Sequence, residues 1–323
     1  MNDALRRWDD WGRGWMDFWF GLHSLTALAL MRIGVGIVLL YSLFVFSFDL
    51  TPHLAPGNWG DLAILRRDDP LAWPFSVFDW VDGIGWIWTV HLMAMAVAAA
   101  FVMGILPNVT GGTLIVLHLS YAHRNPAVLI TLDGLLLVAL VYLTLSPCGK
   151  KLSLLPARRP KPRPYAVIMQ DAQPPPSAWG SLILRTMQIH LCALYFLSAL
   201  ASLTPAWLTG EILTRYRMQT WENLEAIQSS IAMPVWAVAF AHGLTLLSLF
   251  YVVFVWIPRF RYLLLTVICA AHVIVGLVWG LFAYNALMIV LNVAFVESRQ
   301  LDWLREKTEP FLALPWLHVN PRG

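Results

Sequence analysis

Charged side chains are scarce in this chain: they make up 13% of its 323 residues, against about 25% in soluble globular domains. Hydrophobic residues make up 59%, and the mean hydropathy is +0.64. This composition excludes the ordinary soluble domains, because the chain has too little polar surface to stay dissolved in water. It predicts an integral membrane protein that is surrounded by membrane lipids and binds no nucleic acid.

Cysteine is also rare, and Cys148, Cys192 and Cys269 are the only three. No two of them have the Cys-x-x-Cys spacing of a metal or redox site, and three cysteines cannot form a disulfide framework. Histidines are more numerous, but none has the HExxH spacing of a zinc site, so no metal is predicted. Neutral imidazoles at membrane depth can hold a cofactor or exchange protons. Six lie in or beside apolar segments: His91, His118, His123, His190, His242 and His272.

Apolar segments recur along the chain at close to the length that a membrane-spanning helix needs, roughly 20 residues. They predict an all-α fold, a polytopic membrane helix bundle of about eight transmembrane helices. The third segment is too short to span comfortably, so whether it crosses fully stays open. The eight segments are residues 25–48, 84–106, 112–122, 126–146, 181–203, 233–257, 262–279 and 281–296.

Basic residues predict the orientation, because Lys and Arg accumulate in short cytoplasmic loops. With the N-terminus inside and eight crossings, fifteen Lys and Arg fall in inside segments and five in outside segments. Both termini are therefore predicted to be cytoplasmic, and no cleavable signal peptide is evident. The predicted location is a bacterial cytoplasmic (inner) membrane.

The chain divides into three predicted parts. Residues 1–24 carry Trp8, Trp11, Trp15 and Trp19 at spacings of three and four, which is typical of an amphipathic helix at the headgroup level. Residues 25–303 form the transmembrane domain. A basic, proline-rich linker over residues 147–177 separates two four-helix halves, because proline interrupts helices. Residues 304–323 form a C-terminal tail.

Two charges lie inside predicted spans, Arg32 in the first and Asp133 in the fourth. An unpaired charge buried in a bundle is strongly destabilising. An Arg32–Asp133 pair across the bundle is therefore predicted. The alternative is that both side chains lie close enough to an interface to reach water.

Four stretches, in order, carry a family pattern. The first stretch, LALMRIGVGIVLLY, contains Arg32. The second, HRNPAVLITLDGLLL, is of Asn-Pro-x-x-Leu-x-x-x-Asp-x-Leu-Leu type. The fourth has a Pro-Arg turn before a histidine-bearing helix, in the sequence WIPRFRYLLLTVICAAHVIVGLVWGLFAYNALMIV. The third, residues 182–211, resembles a Tyr-Phe-x-x-Gly-x-x-Lys-Leu helix followed by x-x-x-Trp-x-x-Gly. Together they resemble the horizontally transferred transmembrane (HTTM) family, which includes the membrane core of vitamin K-dependent gamma-carboxylases. The matching positions are Asn125, Pro126, Asp133, Tyr195, Phe196, Leu203, Trp207, Gly210, His272 and Tyr284.

The resemblance implies a membrane fold that, in the carboxylases, uses reduced vitamin K to modify glutamates of a bound peptide. The family's lysine, the base that deprotonates the hydroquinone, is replaced here by Ser202. A hydroxyl without an adjacent base is a far poorer proton acceptor than a desolvated lysine. The four lysines of the chain lie in loops or tails. Carboxylase-type activity is therefore disfavoured, and whether the chain is an enzyme stays open.

Two functions remain in view. The first is a factor for maturation or modification of a peptide or lipid partner, with His190, His272, Tyr284 and the Arg32–Asp133 pair lining its cavity. The second is a noncatalytic lipid- or quinone-binding membrane module or scaffold. A heme or quinone redox protein built on the histidines is a third alternative. The cofactor is unassigned in each case, with a quinone or a lipid as the candidates.

Overall fold

The computed structural model describes residues 2–21, 25–55, 75–125, 130–154, 177–211, 235–297 and 300–301. Within these ranges the regular structure is entirely helical, with three short 3-10 turns at Val77–Asp79, Cys148–Lys150 and Val293–Phe295. The α-helices are α1 Asn2–Phe20, α2 Thr26–Phe46, α3 Leu50–Leu54, α4 Ile84–Met103, α5 Pro107–Arg124, α6 Thr131–Leu145, α7 Ala178–Ala201, α8 Pro205–Leu208, α9 Val235–Phe254, α10 Pro258–Trp279 and α11 Phe282–Asn292.

Five of these helices are long and apolar enough to cross a membrane, namely α2, α4, α7, α9 and α10. Helices α6 and α11 are apolar but shorter. The predicted all-α membrane helix bundle is confirmed at this level, and the protein is an integral membrane protein. Each of the eight predicted apolar segments contains a helix.

The third segment differs from its prediction, because α5 runs over Pro107–Arg124 rather than 112–122. Its first turn is too polar for a hydropathy pattern to include. Pro107 is favourable at the start of the helix, because the backbone N–H that proline lacks would have no helical partner at that position. The Asn108 side-chain amide donates to the Ser146 carbonyl at 3.4 Å. At 1.5 Å per residue, its 18 residues extend about 27 Å, close to the thickness of a bilayer core.

Consecutive long helices pack mainly on their neighbours in sequence. They run in alternating directions, because the end of one helix contacts the start of the next, as His118 of α5 contacts Asp133 of α6 and Trp179 of α7 donates to the Leu145 carbonyl of α6. Helices α2, α4, α5 and α6 form one group and α7, α9, α10 and α11 form another, with α11 packed on α2 between them. We call the end where α2 begins the Arg32 end, and the end where α2 finishes the Asp49 end.

Large apolar side chains cover the outside of the bundle as well as its core. Leu277 and Leu263 on α10 are 65% and 67% exposed, whereas Leu136 and Leu140 on α6 are fully buried. Water would oppose so much apolar surface, but lipid chains do not, and helices in a bilayer associate by packing and polar contacts instead. The outward face is therefore the lipid-facing surface.

Helix α1 packs against α7 at the Arg32 end. The Arg185 guanidinium joins them: its Nε donates to the Phe18 carbonyl at 2.8 Å, and its carbon lies 4.8 Å from the Phe18 ring centre. Trp11 and Trp15 stack on one exposed side of α1, with ring centres 5.8 Å apart. The predicted tail, and the predicted linker apart from residues 147–154 and 177, lie outside the described residues.

Candidate functional site

Arg32 is fully buried at the Arg32 end of α2. Its guanidinium donates to the Cys148 carbonyl at 2.9 Å, to the Ser153 hydroxyl at 2.6 Å and to the Leu152 carbonyl. All three belong to the segment that follows α6. Gly104 leaves room for this arrangement, since an added Cβ there would lie 2.8 Å from Arg32 Nη1.

Asp133 lies in the first turn of α6, at the end of that helix opposite to the segment that binds Arg32. One of its carboxylate oxygens accepts a hydrogen bond from the Ile130 backbone N–H at 2.9 Å, which caps the helix. Between Asp133 and the segment that binds Arg32 lie most of the 15 residues of α6, about 20 Å of helix. The predicted Arg32–Asp133 pair is therefore wrong, because the two side chains lie at opposite ends of the bundle.

The partner of Asp133 is His118, near the end of α5. His118 Nε2 lies 3.0 Å from the Asp133 carbonyl oxygen and 3.8 Å from its carboxylate oxygen Oδ1. A carbonyl oxygen can only accept, so Nε2 carries the proton and the neutral ring has its lone pair on Nδ1. Nδ1 makes no hydrogen bond to any residue that the structure describes. The His118 side chain is 10% exposed.

His118 and Asp133 line a cavity of about 380 Å³ at the Asp49 end of the bundle. Its apolar walls come from α2, α6 and the turn between α10 and α11, and include Leu39, Leu136 and Phe282. Ligand pockets for small molecules are typically about 300–1,000 Å³ and are lined mainly by apolar side chains with a few polar groups. The cavity has the size and lining of such a pocket.

The cavity reaches the outer surface of the bundle. Tyr41, Val45, Ile130 and Phe282 line it and are also exposed on that surface, between 44% and 63%. Because the outward face is lipid-facing, a molecule dissolved in the bilayer could enter from the side. This access distinguishes the cavity from an aqueous substrate cleft.

Several polar groups face the same space. Besides His118 and Asp133, the cavity is lined by Asp49 and Tyr284. The Tyr284 hydroxyl has no hydrogen-bond partner within the described ranges, and the Asp49 side chain is exposed. Of the residues predicted to share one cavity, Asp133 and Tyr284 line this one.

His272, another predicted site residue, belongs to a chain of hydrogen bonds in the second group of helices. Its Nε2 lies 2.8 Å from the Tyr195 hydroxyl and its Nδ1 lies 2.8 Å from Asn285 Oδ1. Asn292 donates to the Tyr195 hydroxyl at 3.0 Å, and the Tyr251 hydroxyl donates to Asn292 at 2.8 Å. The chain thus connects α9, α11, α7 and α10.

The donors and acceptors along this chain leave one consistent assignment. Asn285 Oδ1 only accepts, so His272 Nδ1 carries the proton and Nε2 accepts from Tyr195. The Tyr195 hydroxyl donates to His272 and accepts from the Asn292 amide, so both of its hydrogen-bonding roles are filled. Every group between Tyr251 and Asn285 is satisfied with His272 neutral. A satisfied network of this kind specifies how helices pack, and the placement of His272 is explained by it.

His190 lies elsewhere again, beside a small cavity of about 20 Å³ between α6 and α7. The Tyr142 hydroxyl lies 3.1 Å from its Nδ1. That volume holds about one water molecule, so it has no room for a substrate. His91 is bound in a similar way, with Nδ1 2.7 Å from the Tyr121 hydroxyl and Nε2 2.8 Å from the Ser47 hydroxyl.

Ser202 directly follows α7 as its C-cap residue and is buried. Its hydroxyl lies 2.7 Å from the Ala199 carbonyl and 2.9 Å from the Thr245 hydroxyl, which also accepts from Trp207 Nε1 at 2.9 Å. Trp207 and Ser202 thus hold the turn after α7 against α9 through Thr245. The hydrogen-bond partners of Ser202 are all uncharged.

Gly210 completes this turn with a φ of +74°, a left-handed conformation that favours glycine. A Cβ at this position would lie 2.9 Å from the backbone of Ala237 and Val238, so α9 approaches too closely for a side chain. Phe196 on α7, another position of the same family motif, is 43% exposed on the lipid-facing surface.

Asn125 binds the short helix α3 to the end of α5 at the Asp49 end of the bundle. Its amide donates to the His53 carbonyl at 2.9 Å. The adjacent Arg124 donates to the Leu54 carbonyl at 3.1 and 2.9 Å and forms an ion pair with Asp79. These bonds tie α3 and the turn at Val77–Asp79 to the end of α5. Pro126 lies outside the described residues.

The sequence pattern missed the role of His118. It singled out His190 and His272, which the structure places in other contacts. His118 and Asp133 are 15 residues apart on two antiparallel helices that follow each other in the sequence, and that geometry is the signal that could have paired them. Among the described residues, no three His, Cys, Asp or Glu side chains come together as a metal site would require.

Comparison with known proteins gave no relative: no protein-family model matches the chain, and no curated protein or solved structure does so either.

Proposed function

We propose that this protein binds an amphiphilic small molecule, a lipid or a quinone, in the cavity at the Asp49 end of the bundle. The observation that carries the proposal is the lateral opening of a cavity of about 380 Å³ whose polar groups, His118, Asp133, Asp49 and Tyr284, face an otherwise apolar space. Apolar walls suit a hydrocarbon chain or isoprenoid tail, and the polar groups suit a head group.

The size of the cavity limits what lies inside it. At about 30 Å³ for each water in the liquid, the space equals roughly a dozen waters. That is room for a ring or a compact head group and the first part of a chain. The rest of the ligand would extend through the opening between Tyr41 and Phe282 into the bilayer.

The proposal includes an orientation. Eight spans with both termini in the cytoplasm place the Arg32 end inside and the cavity at the outer side of the membrane, a bacterial inner membrane. Lys151 and Arg259 then lie on the cytoplasmic side, as the positive-inside rule requires. Helix α1 would lie along the inner interface, with Trp11 and Trp15 at headgroup depth.

Membership of the HTTM family is also part of the proposal. Gly210, Trp207 and Tyr195 support it, since each has a backbone or hydrogen-bonding role that the matching motif would maintain. Ser202, whose hydrogen-bond partners among the described residues are uncharged, supplies no base, which supports the view that carboxylase chemistry is absent.

The second candidate function is the maturation or modification of a peptide or lipid partner. The His118–Asp133 contact favours it. With Nε2 held by the Asp133 carbonyl, the free Nδ1 can accept a proton from a bound molecule, and the nearby carboxylate stabilises the cation that forms.

The lipids that co-purify with the protein test the proposal. Wild-type protein in mild detergent is extracted and its retained lipids or quinones are measured by mass spectrometry, expressed per mole of protein. Ala283→Phe puts a large ring on the cavity wall, and Val273→Phe puts the same ring on the lipid-facing surface of α10 as a matched control.

We expect one amphiphile to be enriched over its share of the membrane extract, to be lost in Ala283→Phe and to be kept in Val273→Phe. Equal retention by all three proteins would refute binding in the cavity. A thermal unfolding curve identifies a misfolded variant. In that event His118→Gln, which keeps a side chain of similar length at the cavity, replaces Ala283→Phe.

A further inference from the structure

We infer that the cavity selects an amphiphile whose head group donates hydrogen bonds and carries no negative charge, such as a lipid alcohol or a lipid amine. The inference rests on the proposed function, since it names the class of molecule that the same cavity takes. It excludes phosphorylated lipids and fatty acids, which are the most common anionic amphiphiles.

The first step concerns hydrogen bonding. His118 Nε2 is used by the Asp133 carbonyl, so the group that the neutral ring offers to a ligand is the lone pair on Nδ1. The carboxylate of Asp133 accepts one bond from Ile130 and has further lone pairs. The Asp49 carboxylate also only accepts. Three residues of the cavity thus offer groups that only accept, whereas the Tyr41 and Tyr284 hydroxyls in the same lining can either donate or accept. A ligand with donors therefore satisfies all of these groups.

The second step concerns charge. Asp49 and Asp133 are the acidic residues of the lining, and the described residues around the cavity include no Lys or Arg. The cation nearest in sequence to this wall, Arg124, is occupied by Asp79 and the Leu54 carbonyl. An anionic head group would thus meet two carboxylates in a partly desolvated space without a counter-charge, where like charges repel most strongly.

The third step concerns the aromatic side chains. Phe46, Tyr41 and Tyr284 line the same cavity. The face of an aromatic ring carries partial negative charge and attracts cations within about 6 Å of its centre. Rings and carboxylates together favour an ammonium group, whereas an uncharged hydroxyl satisfies the acceptors alone. The ammonium group and the hydroxyl both donate hydrogen bonds, and the experiment below distinguishes between them.

The experiment uses three single-chain lipids of similar chain length that differ in head group. They are monooleoylglycerol, an uncharged donor; sphingosine, a cationic donor whose eighteen-carbon base includes the head-group carbons and so has a somewhat shorter tail; and oleoyl lysophosphatidate, an anion. The full-length protein is freed of native lipid, equilibrated with each probe in the same detergent and examined by native mass spectrometry. Binding is measured as the fraction of protein carrying one probe molecule across a concentration series.

We expect monooleoylglycerol or sphingosine to bind at least about tenfold more tightly than lysophosphatidate, a difference of one decade in Kd. Asp49→Asn should weaken sphingosine severalfold and strengthen lysophosphatidate, because it removes one carboxylate without changing the shape of the side chain. Asp82→Asn changes an exposed carboxylate outside the cavity lining and is the matched control.

The outcomes separate the two proposals. Binding of the uncharged donor with no gain for sphingosine identifies an alcohol, and tighter binding of sphingosine identifies an amine, so each supports the inference. Equal or tighter binding of lysophosphatidate overturns the inference and leaves the cavity as an amphiphile site. Binding of none of the probes, with all variants folded, overturns both.

Discussion

Removing one hydroxyl from the Tyr251 side chain should destabilise the bundle, whereas the same change at Tyr262 should not. Tyr251 is fully buried on α9, and its hydroxyl donates to Asn292 of α11 at 2.8 Å. The Tyr262 hydroxyl on α10 is buried and has no hydrogen-bond partner among the described residues. Tyr251→Phe and Tyr262→Phe are therefore chemically identical changes in opposite environments.

The expected magnitude follows from what each change removes. A hydrogen bond between transmembrane helices is worth about 0.6 kcal/mol on average and at most about 1.7 kcal/mol. Tyr251→Phe should lower the free energy of unfolding by an amount in that range. Tyr262→Phe removes a buried polar atom without a partner and should leave the free energy of unfolding unchanged or raise it, since such a group costs energy to bury.

Equilibrium unfolding by SDS in mixed micelles measures both variants against wild type. A double-mutant cycle with Asn292→Leu then isolates the contact: Tyr251→Phe should cost less in the Asn292→Leu background, because its partner is already gone. Equal costs for the two Tyr→Phe changes, or additive effects in the cycle, would refute the proposed hydrogen-bonded chain from Tyr251 to Asn285.

Three further predictions concern the ends of the bundle. Arg32→Met should lower the free energy of unfolding by at least about 1.5 kcal/mol, because it removes hydrogen bonds from a charged donor to buried acceptors; an SDS unfolding curve checks it, and a wild-type midpoint would contradict it. Gly210→Ala should lower the thermal midpoint by more than Gly280→Ala, since both glycines have positive φ but only Gly210 is crowded by α9; equal shifts would contradict this. Burial raises the pKa of the Cys148 thiol and keeps it in the unreactive protonated form, so maleimide should label this cysteine at pH 8 only after SDS unfolding, and fast labelling of folded protein would contradict its burial.

Helix positions were predictable because hydrophobic length sets them. Each of the eight apolar segments contains a helix, and the predicted ends of the first and fifth lie within three residues of the observed ends of α2 and α7. Helix α5 begins earlier than its apolar segment predicts, with Pro107 and the polar Asn108, whose side-chain amide donates to the Thr144 and Ser146 carbonyls at the end of α6. Hydropathy alone does not detect a turn that is stabilised in this way.

Side-chain partners were less predictable. Opposite charge alone pairs Arg32 with Asp133. Arg32, however, lies in the second turn of α2, which starts at the Arg32 end, whereas Asp133 lies in the first turn of α6, which starts at the Asp49 end. The alternating direction of the spans already places them apart. Buried arginine can be satisfied by backbone carbonyls, such as that of Cys148, and composition gives no sign of those.

The cavity itself could not be predicted, because it depends on how α10 and α11 turn against α2. Tyr284 and Asp133 were recognised as candidates from the motif resemblance, and both line it. The sequence identifies His118 only as one of six histidines in or beside apolar segments, and nothing in its neighbourhood indicates a site. Its importance comes from the antiparallel packing of α5 on α6.

The central claim, that the cavity holds an amphiphile, is tested most directly by photo-crosslinking. Monooleoylglycerol carrying a diazirine near its head group is irradiated with the protein in nanodiscs, and the labelled peptides are identified by mass spectrometry. We predict adducts on the cavity wall near Leu132 and Ala283, and we predict that excess unlabelled monooleoylglycerol abolishes them. Adducts confined to lipid-facing positions such as Leu277 and unaffected by the competitor would contradict the claim.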